Sequence, residues 1–247
     1  VGERARVTMA TGIRRLDEAL DGGVPDHSAV LVYGPPFTGK TVLSNQFAAA
    51  GLAQGVPAIF VLTDQPASEA RQELAAIDPD YEKHEEAGLV QFVDAYSRSV
   101  GAEDPHKRTE YLDGPIDLSS LALAVNNAQR KVIPLSSAHR LVFRSVSTLM
   151  AYTNAQTTFR FLQIFVGKTK RAGATSMMHL EQGMHTEPEV QMIKHLVDGV
   201  LSLKVDAGKH TLHLEGLGVT SDRGWVEYRY SPVVFEITGS FGAGRIR

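Results

Sequence analysis

Gly34-Pro35-Pro36-Phe37-Thr38-Gly39-Lys40-Thr41 carries the spacing G-x-x-x-x-G-K-[ST]. Glycines in such a loop let the backbone come close to a polyphosphate, its amide hydrogens point inward, and the helix that follows contributes partial positive charge. The lysine reaches the β- and γ-phosphates, and the hydroxyl of the last residue ordinarily holds a magnesium ion. A glycine loop that merely turned a strand into a helix would need neither Lys40 nor Thr41. The spacing therefore predicts a nucleotide cradle made by Gly34, Pro35, Pro36, Phe37, Thr38, Gly39, Lys40, Thr41 and Val42, with Thr41 as a magnesium ligand.

Such a loop works only between a buried strand and a helix. Ala29-Val30-Leu31-Val32-Tyr33 reads as the strand, and Thr41 to Phe47 has apolar residues spaced as on a helix face. Strand-like and helix-like runs alternate onwards. Ala58–Leu62 is an unbroken apolar run, as in a parallel strand buried on both faces. Helices are predicted over 66–76, 118–132 and from a cap at Asn154 to about Ala172, and strands at Val90–Val93, Leu141–Phe143 and Ala174–Met178. Short β runs follow at Gly199–Leu203, Thr211–Leu214 and Val233–Ile237. The fold class is α/β: a mostly parallel central sheet flanked by helices, with a C-terminal antiparallel β extension. Residues 78–88 and 98–114 are polar and read as loops. No repeat interrupts the alternation, so a single domain over 1–247 is expected.

Composition narrows the function. The chain has 247 residues, 25 Lys and Arg against 28 Asp and Glu, a net charge of −3 and no cysteine. No global basic field draws it to nucleic acid or to an anionic membrane surface. Disulfides, thiolate catalysis and cysteine-ligated zinc are excluded. No apolar stretch approaches a membrane span and the first residues begin no signal peptide, so a cytoplasmic protein is expected.

Thr11-Gly12-Ile13, Leu16-Asp17-Glu18, Leu20, Gly22-Gly23 and Pro25 lead into the phosphate loop. Downstream come Arg140-Leu141-Val142-Phe143-Arg144-Ser145-Val146-Ser147-Thr148-Leu149, then Asp198-Gly199-Val200 and Phe235-Glu236-Ile237-Thr238. This ordered set, from about Val7 to Thr238, resembles the KaiC-like branch of the RecA-type P-loop ATPases. The resemblance implies a RecA-like core that binds ATP between neighbouring subunits, commonly in a homo-oligomeric, hexameric ring.

The chain departs from that pattern at three places. Where the strand Leu141–Phe143 ends, the family carries an aspartate that orders magnesium; here stands Arg144, and a guanidinium cannot ligate a cation. Three outcomes are open: magnesium is held weakly, Arg144 pairs with phosphate oxygens, or it pairs with a carboxylate and never meets ATP. After Ala58–Leu62 the family places a glutamate pair, one member a general base. This chain has Asp64, the candidate base though one methylene short, and Gln65, which cannot accept a proton. Because the two strands are neighbours in a RecA-like sheet, an Asp64–Arg144 ion pair is expected. Third, the family's late lysine and arginine fingers are replaced by Glu215 and Leu217, leaving Lys209 or Arg223 to compensate.

His179, at the end of the strand from Ala174, stands where relatives place a polar sensor of the γ-phosphate, and joins the cofactor-binding set with Arg144. His179, His185 and His195 match no metal-ligand spacing. Residues 182–194 read as a surface loop. Lys168, Lys170 and Arg171 suit a helix C-terminus, and Trp225 and Tyr228 read as packing. Together these residues predict an ATP-binding module with weak or absent hydrolysis that acts through nucleotide-dependent assembly and contact with a protein partner. The alternatives are an active ATPase with rebuilt catalytic residues, and a recombinase-like protein acting on DNA.

Overall fold

The computed structural model describes residues 7–218 and 224–241. A ten-stranded sheet runs through it, accompanied by a two-stranded ribbon of β1 (Thr8–Met9) and β2 (Val24–Pro25) that flanks α1 (Arg14–Ala19). The central strands are β3 (Ala29–Gly34), β4 (Ala58–Leu62), β5 (Val90–Asp94), β6 (Thr109–Tyr111), β7 (His139–Arg144), β8 (Ala174–Glu181) and β9 (Gly199–Asp206). All of these pair in parallel, in the spatial order β9-β3-β8-β7-β4-β5-β6. On the β9 side, β10 (Lys209–Gly216), β11 (Val226–Tyr230) and β12 (Phe235–Ile237) continue the sheet as an antiparallel meander.

Nearly every residue of β3, β4, β5, β7 and β8 is buried, and alternate side chains feed two cores. Phe60 and Phe92, stacked with centroids 5.3 Å apart, point towards α2 (Lys40–Leu52) and α3 (Ala67–Ala75), where they meet Leu43, Phe47 and Leu74. Ile59, Val61 and Phe143 point the other way, to α6 (Leu118–Val132) and α8 (Ala155–Arg171). Both of these helices start on a side-chain cap. Asp117 accepts from the amides of Ser119 and Ser120, and Asn154 accepts from that of Thr157 at 2.8 Å, each satisfying amides that the first helical turn leaves free.

Three segments expected to be loops are ordered. Residues 78–88 contain α4 (Tyr81–Glu86), and 98–114 hold the edge strand β6 after α5 (Ser97–Val100). Residues 182–194 form α9 (Glu187–Lys194) behind a capping box, in which the Thr186 amide donates to Glu189 at 2.9 Å. The helix is anchored by buried Val190 and Ile193. Between β7 and α8 lies α7 (Val146–Tyr152). Among the described residues no helix is long and apolar enough to cross a membrane.

Candidate nucleotide-binding site

All the parallel strands point their carboxyl ends the same way, and that edge carries the candidate site. β3 delivers Gly34 and the loop; Gly39, at φ 80°, turns the chain into α2, whose first residue is Lys40. Only glycine takes that turn cheaply, and an added Cβ would also sit 2.7 Å from the Tyr230 ring. Lys40 is 6% exposed. Its ammonium donates to the Pro35 carbonyl at 2.6 Å, to the Gly34 carbonyl at 3.1 Å and to Glu181 Oε2 at 3.0 Å. Burial pulls its pKa down, opposed by the Glu181 carboxylate.

A cavity of about 400 Å³ opens beside this loop. Pro36 to Val42 wall it on one flank; Asp64, Glu73, Arg144, His179 and Glu181 wall it on the other. β8 lies between β3 and β7, so it brings His179 and Glu181 against the loop and the end of β7. β4 pairs with β7 in a register that sets Leu62 opposite Arg144. Thr63 fastens the two strand ends: its amide donates to the Arg144 carbonyl at 2.6 Å, and its hydroxyl accepts from the Ser145 amide at 2.6 Å. The Arg144–Ser145 peptide is cis.

Arg144 and Asp64 share this cavity, yet the expected ion pair between them does not form. Arg144 is 1% exposed and donates through Nη1 to Glu73 Oε2 at 2.6 Å and through Nη2 to Asn45 Oδ1. Glu73 wins because α3 holds it facing the strand end. The start of α3 is tied by the Ala67 amide to the buried Asp94 carboxylate at 2.7 Å. Gln65 adds a bond to the same Glu73 oxygen at 3.3 Å. Asp64 instead lies exposed at the mouth and makes no ion pair among the described residues. Crowding there strips its hydration and pushes its carboxyl above the usual range; Glu181 and Glu73 add to the push, and Arg144 opposes it.

His179 is buried beneath the loop. Its Nε2 lies 3.1 Å from Ser44 Oγ, which already donates to the Thr41 carbonyl at 3.0 Å, so the imidazole is the donor. Burial, then Arg144 and Lys40, drives its pKa well below the ordinary histidine value, so the ring is neutral. Of the finger positions, Glu215 and Leu217 lie at the end of β10 that pairs with the start of β9, the sheet edge away from the loop; Glu215 lies 3.7 Å from Lys194. Lys209 lies at the same edge as the loop and pairs with Glu227 at 2.7 Å. Arg223 is outside the described residues.

The matching family, described as "ATPase: KaiC", covers residues 9–240. The chain belongs to this KaiC-like ATPase family. A UPF0273 protein of Methanopyrus kandleri is 31% identical over 206 residues, spanning 80% of this chain and 77% of its own. One from Pyrococcus furiosus is 32% identical over 201 residues, spanning 80% and 78%. The fold is that of a KaiC-like protein from Pyrococcus horikoshii, with a TM-score of 0.72 at 20% identity over 94% of this chain and 98% of that one. KaiC-like membership makes this a RecA-fold nucleotide-binding protein.

Magnesium is typical of such sites, and the residues here fit it poorly. Thr41 keeps its hydroxyl at the start of α2, but the end of β7 presents a guanidinium fixed by two partners. Sequence reasoning missed Glu73, Asn45, Glu181 as the partner of Lys40, and Tyr230. None of these carried a local signal; Asn45 stands in a run of three polar residues, Ser44 to Gln46, on α2.

Proposed function

We propose that the chain is a single RecA/KaiC-like ATP-binding domain that holds its nucleotide at Gly34–Val42 and hydrolyses it slowly or not at all. Occupancy, rather than turnover, then controls assembly into a homo-oligomer and contact with a protein partner in the cytoplasm. The observation that carries this reading is the Arg144 guanidinium, buried between Glu73 and Asn45 where hydrolysis would need a metal-ordering carboxylate. Phosphoryl transfer depends almost wholly on positioning and charge stabilisation, so this exchange removes more from cleavage than from binding. His179 supports the loop from below through Ser44. Asp64, the candidate base at the mouth, is one methylene shorter than the glutamate expected there and makes no ion pair among the described residues.

Calorimetric titration of ATP, run beside a phosphate-release assay, tests the proposal. Tight binding with release no faster than in Lys40→Ala is the expected pair of results. Release well above that blank in the assembled protein defeats it. It would favour the second reading, an active ATPase using Glu181, whose carboxylate already stands 3.0 Å from Lys40.

A further inference from the structure

Two tyrosines of β11 reach the phosphate loop from the meander. Tyr228 donates its hydroxyl to the Thr38 carbonyl at 2.8 Å, and Tyr230 donates to the Phe37 carbonyl at 2.5 Å. Residues two apart on a strand share a face, so the pair addresses consecutive carbonyls of the loop. Tyr228 is 4% exposed and stacks on Phe235 with centroids 4.4 Å apart. Burial pushes its hydroxyl up, keeping it protonated and donating. The Tyr230 ring packs on Gly39, closely enough to exclude any side chain there.

A trans peptide is planar, and its C=O and N–H point in opposite directions. Turning the carbonyls of Phe37 and Thr38 towards β11 therefore turns the amides of Thr38 and Gly39 away from it. Neither amide donates to another group among the described residues. Inward-pointing amides of this loop are what a polyphosphate contacts. The arrangement also needs an outside hold. Phe37 sits at φ 59°, a left-handed conformation that a bulky residue rarely adopts, with its side chain 89% exposed.

We propose that Tyr228 and Tyr230 are positioning residues that aim the Thr38 and Gly39 amides into the phosphate cradle, making the C-terminal meander part of the determinant of nucleotide affinity. This rests on the nucleotide-binding reading and adds to it which residues outside the loop set its strength. The test is calorimetric titration of wild type, Tyr228→Phe, Tyr230→Phe and the double variant with two probes, ATP and inorganic tripolyphosphate. Each single change is expected to weaken both probes by about five- to tenfold, as for one lost hydrogen bond acting on a site without reshaping it. The double variant should lose more than either. Thermal melts of Tyr230→Phe, which keeps the ring on Gly39, should stay close to wild type, so that variant decides the matter if Tyr228→Phe folds poorly. Equal affinity of Tyr230→Phe and wild type for both probes overturns the proposal. So does a loss confined to ATP, which would place the tyrosine on the nucleoside instead. Wild type that binds neither probe removes the nucleotide reading, and this one with it.

Discussion

The two flanks of the cavity follow different rules. On the loop flank the groups that face the cavity, Lys40 and the start of α2 among them, come from the contiguous stretch from β3 to α2. On the strand-end flank, it rests on side chains at the tips of β4, β7 and β8, brought together only by the sheet. The first flank keeps every part of its pattern. The second presents Arg144 at the end of β7, held by Glu73 and Asn45. Groups carried on one contiguous stretch and groups gathered from separate strand tips can vary independently, and a buried charge is tolerated where it is paired.

Lys40→Ala breaks the comparison most severely. It removes the ammonium that bonds two loop carbonyls and Glu181, and that would meet the phosphates. ATP affinity in calorimetry should fall by about a hundredfold or more, as expected when several charge-assisted bonds go together. A small loss would mean that the loop flank does not bind through Lys40.

Arg144 sharpens the contrast. In wild type, saturating magnesium should change ATP affinity by no more than about threefold, since a fixed guanidinium repels the ion. Arg144→Asp alone would set a new carboxylate beside Glu73, so the informative variant is Arg144→Asp with Glu73→Gln. There the dependence on magnesium should rise to about tenfold or more, once hard oxygen ligands are available beside Thr41. Equal dependence in both proteins would show that the end of β7 never faces the nucleotide.

This division also governs what the sequence disclosed. The strand–loop–helix frame of the loop flank was legible because its residues are contiguous. The parallel sheet was legible from runs such as Ala58–Leu62, which the structure reproduces residue for residue. The strand-end flank was legible only as a set of substitutions. Nothing local in Ala67–Ala75 marks Glu73 as the partner of Arg144; that follows from how Asp94 fixes the start of α3. Tyr-Glu-Lys-His-Glu-Glu at α4 lacks helical apolar spacing, with Tyr81 its buried residue. The three residues of β6 are too short for a periodicity to show. The capping box at Thr186 and Glu189 was a readable start for α9, outweighed by the polar run before it.

Glu181 stands between the two flanks, on the second but bonded to the first. A polyphosphate must take Lys40 from it, and then lies close to a carboxylate it repels. Glu181→Gln keeps an acceptor for Lys40 and removes the repulsion. ATP should bind about three- to tenfold more tightly in that variant, the scale of one partly screened charge contact. Weaker binding would instead assign Glu181 a direct part in holding the ligand.

The smallest effect concerns Asp64 and pH. Its folded-state pKa is raised, chiefly by lost hydration, with Glu181 and Glu73 adding to the rise. A carboxyl raised in this way is penalised when ionised, so its contribution is unfavourable above its folded pKa and fades as pH falls through it. Asp64→Asn should therefore be slightly more stable than wild type at pH 7. Asp64 is exposed and screened, which limits the gain to about 1 kcal/mol, or roughly 2–4 °C in melting temperature for a chain of this size. The difference should shrink as the buffer is taken down towards the ordinary aspartate pKa of about 4. A bound polyphosphate adds negative charge beside this carboxyl and pushes its pKa further in the same direction, so ATP binding should take up protons at Asp64 and tighten as pH falls. In Asp64→Asn that slope should flatten relative to wild type, and calorimetry in buffers of different ionisation enthalpy reads the proton uptake directly. An unchanged slope would place the coupled proton elsewhere and leave Asp64 outside the field of the ligand.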